Sequence, residues 1–159
     1  MDEIVVLDAV GVATLARAAR DLAATPDPST PAALHLLPDT IVEAVRPHLD
    51  PALPAPARDA LLRYAAELDE IAEAAVRLDQ NDHEIEHQLR WWEGRTDTLE
   101  SALTGHPGDD VDTARELALY RGRISGARTM RKHYGEQRRA LLAQHLRADA
   151  ACVDVLAAL

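Results

Sequence analysis

The chain has 159 residues, a formal net charge of −10 and 47% hydrophobic residues, but only 3% aromatic residues and no Phe. The excess of acids argues against binding to nucleic acids or to anionic membranes, because both need a basic protein surface. The scarcity of aromatic side chains argues against a β-sandwich and favours helices. A single cysteine, Cys152, excludes a disulfide framework within the chain.

The N-terminus and the longest apolar runs indicate the location we expect. The chain begins Met1-Asp2-Glu3, whereas a secretory signal begins with a basic region. No apolar run reaches the ~20 residues that cross a bilayer. We therefore expect a soluble cytoplasmic protein, and export without a cleavable signal peptide stays open. Cys152 lies in an apolar helical pattern and is expected to be buried.

Proline placement divides the chain. Eight of its nine prolines lie between positions 26 and 56, and the ninth is Pro107. Because proline breaks helix interiors, long helices fit only where it is absent. In chain order we predict a helix at 2–24 (alternatively a short strand at 4–7), a linker at 25–31, a short helix at 38–49 capped by Asp39 or Thr40, and a stiff extended connector at 50–56.

Two long helical patterns follow the connector. Apolar residues recur at spacings of three and four over 57–103, and again from Leu117 to Leu159. Between them, residues 104–110 are rich in Gly, Pro and Asp, which favours a turn. The sequence therefore predicts an all-α protein: a long antiparallel, coiled-coil-like two-helix hairpin at 56–159, preceded by two shorter helices and a Pro-rich linker at 1–55.

Charge and position give the hairpin a register. Acids dominate 56–104, and nine basic residues lie in 105–159, concentrated at 115–139, so the two arms attract each other. Folding at the predicted turn places positions whose numbers add up to about 214 side by side. The acids then lie beside the bases: Asp82 and Glu86 near Arg128, Arg131 and Lys132. In the same register Trp92 lies near Gly122, with Gly126 one turn on. We expect these glycines to make room for the Trp92 indole.

Residues 83–87 read His-Glu-Ile-Glu-His, a pattern that resembles the H-E-x-x-H motif of zincin metallopeptidases. On a helix, His83 and His87 share one face and can bind zinc, and Glu84 can activate a water molecule. The family's third ligand at a fixed distance is missing here. The alternatives are an adventitious metal site and a solvated or ion-paired helix face.

A second pattern concerns RNA chemistry. Arg128 with His133, and Arg139 with His145, resemble the R-x(4–6)-H signature of HEPN-type ribonucleases, which are all-α domains of similar size. The resemblance implies that Arg128 and His133 act on the RNA phosphodiester. Ordinary ion pairing with the acidic arm is the alternative, and the net charge favours it.

A third pattern is Trp92-Glu93-Gly94. It resembles the Trp-x-Gly signature of the helical-hairpin proteins of type VII secretion systems. The Ala-, Arg-, Leu- and Asp-rich composition is typical of actinobacteria. The resemblance implies a hairpin that dimerises or binds another helical protein, although the family's motif lies at the turn and here the turn is predicted about ten residues later. The adjacent Trp91 is a candidate for partner contact.

These patterns lead to one functional prediction with two alternatives. We predict a non-enzymatic helical interaction protein without a cofactor, which forms a homodimer or binds a protein partner through Trp91, Trp92 and Gly94. The alternatives are a zinc-dependent hydrolase using His83, Glu84 and His87, and a ribonuclease using Arg128 and His133.

Overall fold

The computed structural model describes residues 7–25, 32–105 and 111–159. Within these ranges the chain is helical and contains no strand: α1 is Ala9–Ala24, α2 is Asp39–Val45, α3 is Ala55–Gly105, α4 is Val111–Ala157, and two short 3-10 helices are Ala32–His35 and Arg46–His48. α3 and α4 pack against each other, which confirms the all-α class and the long helix pair. Most of the predicted strand alternative at 4–7 and of the predicted turn lies outside the described residues.

The N-terminal helices begin differently from one another. Asp8 caps α1, because its side chain accepts a hydrogen bond of 3.1 Å from the backbone N–H of Val10. α2 starts after Pro38 without a side-chain cap, and Asp39 is its first residue. The prediction that Asp39 or Thr40 caps this helix was therefore wrong; Asp39 instead places its negative charge in the first turn, where the helix dipole favours it.

The predicted connector is shorter than expected. α3 already begins at Ala55, so Pro56 lies in its first turn rather than in an extended segment. Proline is tolerated there because a first-turn N–H has no partner within the helix. From this start α3 runs 51 residues without a break. This agrees with the absence of proline from 57–106, and the helix continues through Gly94.

The chain forms two compact units. Unit 1 consists of Met1–Val76 and Arg138–Leu159, and unit 2 consists of Arg77–Gln137. Unit 1 thus combines the N-terminal helices with the beginning of α3 and the end of α4. The predicted boundary between residues 55 and 56 follows the order of the elements along the chain, and it stays a prediction.

Unit 1 contains the larger core. α3 contributes Leu61, Leu68 and Ile71, which are fully buried. The helices that pack around them contribute Leu22 from α1, Ile41 and Val45 from α2, and Cys152 and Leu156 from α4. The burial of Cys152 is as predicted. The predicted continuation of the α4 apolar pattern to Leu159 was wrong at its end, because Leu159 is exposed and Leu156 is buried instead.

Unit 2 is an antiparallel pair of helices with a thin seam. Its core consists of Leu89, Ile124 and Ala127, with Ile85 and Trp92 packed against them. Ion pairs fix the register: the Arg131 Nε atom lies 2.8 Å from Asp82 Oδ1, as the sequence predicted. On a seam this narrow, the side chains immediately beside it remain accessible to solvent.

The glycines of α4 do not have the predicted role. A Cβ atom built at Gly122 or at Gly126 would meet nothing within 4 Å. The Trp92 indole instead packs towards the seam, against the cluster of Leu89, Ile124 and Ala127. The register was right to within about one helical turn, but the two glycines face away from the Trp92 ring.

Two adjacent leucines test the core of unit 1. Leu61 is fully buried, whereas Leu62 is 47% exposed. We expect Leu61→Ala to lower the free energy of unfolding by about 2–5 kcal/mol, because it leaves a cavity. Leu62→Ala makes the same chemical change on the same helix and should cost below about 1 kcal/mol. Urea denaturation followed by circular dichroism measures both, and equal losses would contradict the described packing.

The open space at the α4 glycines gives a second prediction. Gly122→Ala and Gly126→Ala should each raise the free energy of unfolding by roughly 0.5–1 kcal/mol, because alanine restricts the unfolded chain and favours the helix. Gly11→Ala is the control, since its Cβ would lie 3.0 Å from the capping Asp8 carboxylate. Thermal unfolding at low protein concentration measures the three. A loss of stability at position 122 or 126 would show that the indole prediction was right after all.

Candidate interaction surface

An exposed tryptophan dominates one side of unit 2. Trp91 is 56% exposed. Its ring meets the ring of Tyr120 on α4 edge to face, with centroids 5.6 Å apart and planes at 74°. Edge-to-face pairs are favourable because the positive ring edge meets the negative ring face. Tyr120 therefore holds an indole that water still reaches.

An arginine completes the aromatic contacts. The Arg123 guanidinium carbon lies 5.6 Å from the Tyr120 ring centroid and 5.9 Å from that of Trp92. Both distances are within the range of a cation–π interaction. Among the described residues no carboxylate forms an ion pair with Arg123. Its charge is thus held by ring faces, and the donors at the edge of the guanidinium stay accessible.

Two large apolar side chains extend this surface along α4. Leu119 is 53% exposed and Met130 is 46% exposed. They share a side of the helix with Arg123, because separations of four and eleven residues bring side chains to nearly the same angle. We call the set Trp91, Tyr120, Arg123, Leu119 and Met130 the aromatic face. Trp, Tyr, Arg and Met are the residue types enriched in protein–protein interfaces.

The predicted partner-contact residues have different environments. Trp91 belongs to the aromatic face, while Trp92 is half-buried against the seam. Gly94 is exposed, with open space where a Cβ would be. The sequence analysis did not single out Arg123 or Met130. The predicted register could have indicated Arg123, since it places position 91 beside position 123.

The opposite side of unit 2 is charged. A groove of about 590 Å³ there is lined mainly by three acids (Glu93, Asp97, Glu100) and three bases (Arg121, Arg128, Lys132). Two of these pairs meet across the groove: Arg121 lies 2.7 Å from Glu100, and Arg128 lies 2.9 Å from Glu93. These exposed pairs contribute little stability each. They nevertheless neutralise each other, so the groove has no strong charge of one sign.

The ribonuclease residues both lie on α4 and both have partners within the chain. Arg128 bonds to Glu93, and the His133 ring bonds to the Gln137 amide at 3.0 Å. The ion pairing with the acidic arm is therefore present at Arg128. The ribonuclease alternative stays a prediction.

The histidines of the H-E-x-x-H pattern lie on α3. His83, Glu84 and His87 are all exposed, and a weak hydrogen bond of 3.4 Å links the Gln88 amide to Glu84. His83 and His87 share a helix face, as predicted. Across residues 7–25, 32–105 and 111–159, no group of three or more His, Cys, Asp or Glu side chains is arranged to hold a metal ion. The zinc alternative stays a prediction.

A buried polar cluster lies apart from these features, in unit 1. The Tyr64 hydroxyl donates a hydrogen bond of 2.6 Å to Asp149 Oδ1. Burial, reinforced by Asp149, raises the pKa of Tyr64 well above its usual range. The His145 Nε2 atom lies 3.5 Å from the same carboxylate oxygen, in contact rather than in hydrogen-bond geometry. The cluster links α3 to α4 through one shared carboxylate.

Cys152 lies beside this cluster. Burial, with smaller contributions from Asp149 and Glu67, raises the pKa of its thiol to about 12. A thiol is nucleophilic only as the thiolate. Cys152 is therefore protonated and unreactive near neutral pH, and it acts as a small apolar side chain of the core.

Comparisons with known proteins return no relative. No protein-family model, no curated protein and no solved structure matches this chain. In the part of the chain that the structure describes, no helix combines the length and the apolar character needed to span a bilayer.

The Cys152 thiol provides a pH-dependent test of the unit 1 core. Its pKa is raised from 9.0 to about 12, so the folded state favours the protonated form. This contribution to stability is complete below about pH 9 and is lost as the pH rises towards about 12. Between these values we expect the wild-type chain to lose more unfolding free energy than Cys152→Ala, in urea titrations at matched pH. Identical losses would mean that the thiol is not desolvated.

Proposed function

We propose that this chain is a non-enzymatic helical interaction protein, and that it binds a protein partner through the aromatic face of unit 2. The observation that carries the proposal is the exposed Trp91 ring, held edge-on by Tyr120 beside the Arg123 guanidinium. Trp, Tyr and Arg are the residues whose truncation most often costs 2 kcal/mol or more of binding free energy. Their clustering on one side of a helix pair supports a binding surface.

The arrangement also lowers the cost of binding. Tyr120 contacts the Trp91 ring, and the Tyr120 and Trp92 rings contact the Arg123 side chain, before any partner arrives. Side chains that are already ordered lose less entropy when a partner covers them. The charged groove on the other side lacks this property, because four of its long side chains are already engaged in two ion pairs, Arg121 with Glu100 and Arg128 with Glu93.

The type VII resemblance is a finer form of the same proposal. It concerns Trp92-Glu93-Gly94, which lies within α3, and Trp92 packs on Ile124 and Ala127. The long antiparallel helix pair supports a general similarity of architecture. We propose a type VII secretion-associated partner as the finer identity of this chain itself.

Site-specific photo-crosslinking tests the proposal. A benzophenone amino acid at position 91 keeps a large aromatic side chain where Trp91 was, so binding is retained. In cells that produce the chain naturally it should form covalent adducts with another protein molecule, because the partner covers this position. Position 90 is the matched control: the Arg90 side chain is 75% exposed but points about 100° away around the helix. Absence of adducts at position 91, or equal yields at both positions, would refute the proposed surface.

A further inference from the structure

Two glycines interrupt an otherwise large-residue side of α4. Gly122 and Gly126 are exposed, and a Cβ at either would meet nothing within 4 Å. A glycine in a helix interior costs roughly 1 kcal/mol relative to alanine, and no close contact to residues 7–25, 32–105 or 111–159 compensates for it. Leu119 and Met130 border the pair on the same side. We call Leu119, Gly122, Gly126 and Met130 the glycine notch.

The exposed indole lies at the same level along the helix pair as the notch. Arg131 meets Asp82 on one side of this level and Glu116 meets Arg95 on the other. Position 91 of α3 therefore lies beside the stretch of α4 that contains Gly122 and Gly126. Within one chain the Trp91 indole belongs to α3 and contacts Tyr120 of α4. It therefore does not occupy the glycine notch of the same chain.

A second copy of the chain can fill the notch. A two-fold axis parallel to the helices, with the aromatic faces together, places α3 of each copy against α4 of the other at an unchanged level. Each Trp91 then meets the other copy's notch, and the contact is made twice. Such a self-complementary surface is what an isologous dimer requires.

Charge supports this partner and this axis. Among the described residues no carboxylate forms an ion pair with Arg123. The axis places the Arg123 guanidinium against the ring of the second copy's Trp91, where a cation is favoured. Arg95 and Glu116 already neutralise each other within the chain. An axis across the helices, with the two notches together, would instead bring the two Arg123 guanidinium groups close to each other and repel.

We propose that two copies of this chain pair through their aromatic faces, and that each Trp91 occupies the other copy's glycine notch. This inference rests on the proposed function and names its partner. The Trp91 indole and the two glycines lie at the same level, but the indole does not occupy the notch of its own chain. A contact between two copies therefore accounts both for the exposed indole and for the exposed glycines.

Static light scattering on the purified full chain tests the proposal. We expect a concentration-dependent dimer. Trp91→Ala removes the indole and Gly126→Leu fills the notch, so each should raise the dissociation constant at least about thirtyfold. Asp97→Ala, in the charged groove on the other side, is the control and should leave the dissociation constant unchanged. The Cβ atom of Gly126→Leu meets no described residue within 4 Å, and circular dichroism verifies that each variant is folded.

Cysteine variants test the axis. A mixture of Gln88→Cys and Met130→Cys chains should form a mixed disulfide under mild oxidation, because the axis brings α3 of one copy to α4 of the other. Either variant alone should cross-link far less. Preferential cross-linking of Met130→Cys with itself would overturn the parallel axis.

The outcomes separate the two proposals. A purified chain that stays monomeric, or a dimer that is indifferent to Trp91→Ala and Gly126→Leu, overturns the self-pairing. If position 91 nevertheless cross-links to a different protein in cells, the proposed function stands and only the identity of the partner was wrong. If position 91 cross-links to nothing, both proposals fail.

Discussion

The antiparallel packing of α3 against α4 determines where the other features of the chain lie. Each helix has about fifty residues, and a shift of one residue in register would turn every contact by about 100°. Tyr64 with Asp149 fixes the register in unit 1, and Asp82 with Arg131 fixes it in unit 2. The position of the aromatic face and the closure of the unit 1 core both follow from this one alignment.

Charged side chains are distributed unequally between the two sides of unit 2. The groove side collects acids from α3 and arginines from α4, and these satisfy one another. The other side carries Trp91, Leu119 and Met130, with the Arg123 cation held over the Tyr120 and Trp92 rings. In a chain with a net charge of −10, a surface with a cation and few carboxylates is where a second copy can approach with less repulsion.

The sequence predicted much of the fold because its signals are periodic. The regular spacing of apolar residues such as Leu61, Leu68 and Leu99, and the absence of proline from 57–106 and from 108–159, predict long helices without reference to other parts of the chain. Matching charges then gave the Asp82–Arg131 contact. Features that depend on how each helix is rotated about its own axis could not be predicted. Adjacent positions on a helix differ by about 100°, so Gly122 and Ile124 lie on nearly opposite sides of α4, and pairing by residue number does not decide which of them meets Trp92.

The candidate surface was predictable in part for the same reason. Two adjacent tryptophans cannot both face a narrow seam, so the exposure of one was expected. The surroundings of Trp91 depend on the angles at which Tyr120 and Arg123 project from α4. Apolar spacing and charge matching do not predict those angles. Motifs such as His83-Glu84-x-x-His87 describe one helix alone, and a metal or substrate site needs groups from elsewhere as well.

The unit 1 core is built from unusually small side chains. Ala16, Ala19, Ala57 and Ala65 are completely enclosed, and helices that meet through methyl groups come close together. At such a contact, the volume of a substituted side chain matters more than its polarity. An enlarged side chain at any of these positions would force the helices apart, at about 1–3 kcal/mol for each added group. We therefore expect amino-acid substitutions in this chain to be accepted most slowly at its enclosed alanines, although alanine is usually regarded as an interchangeable residue.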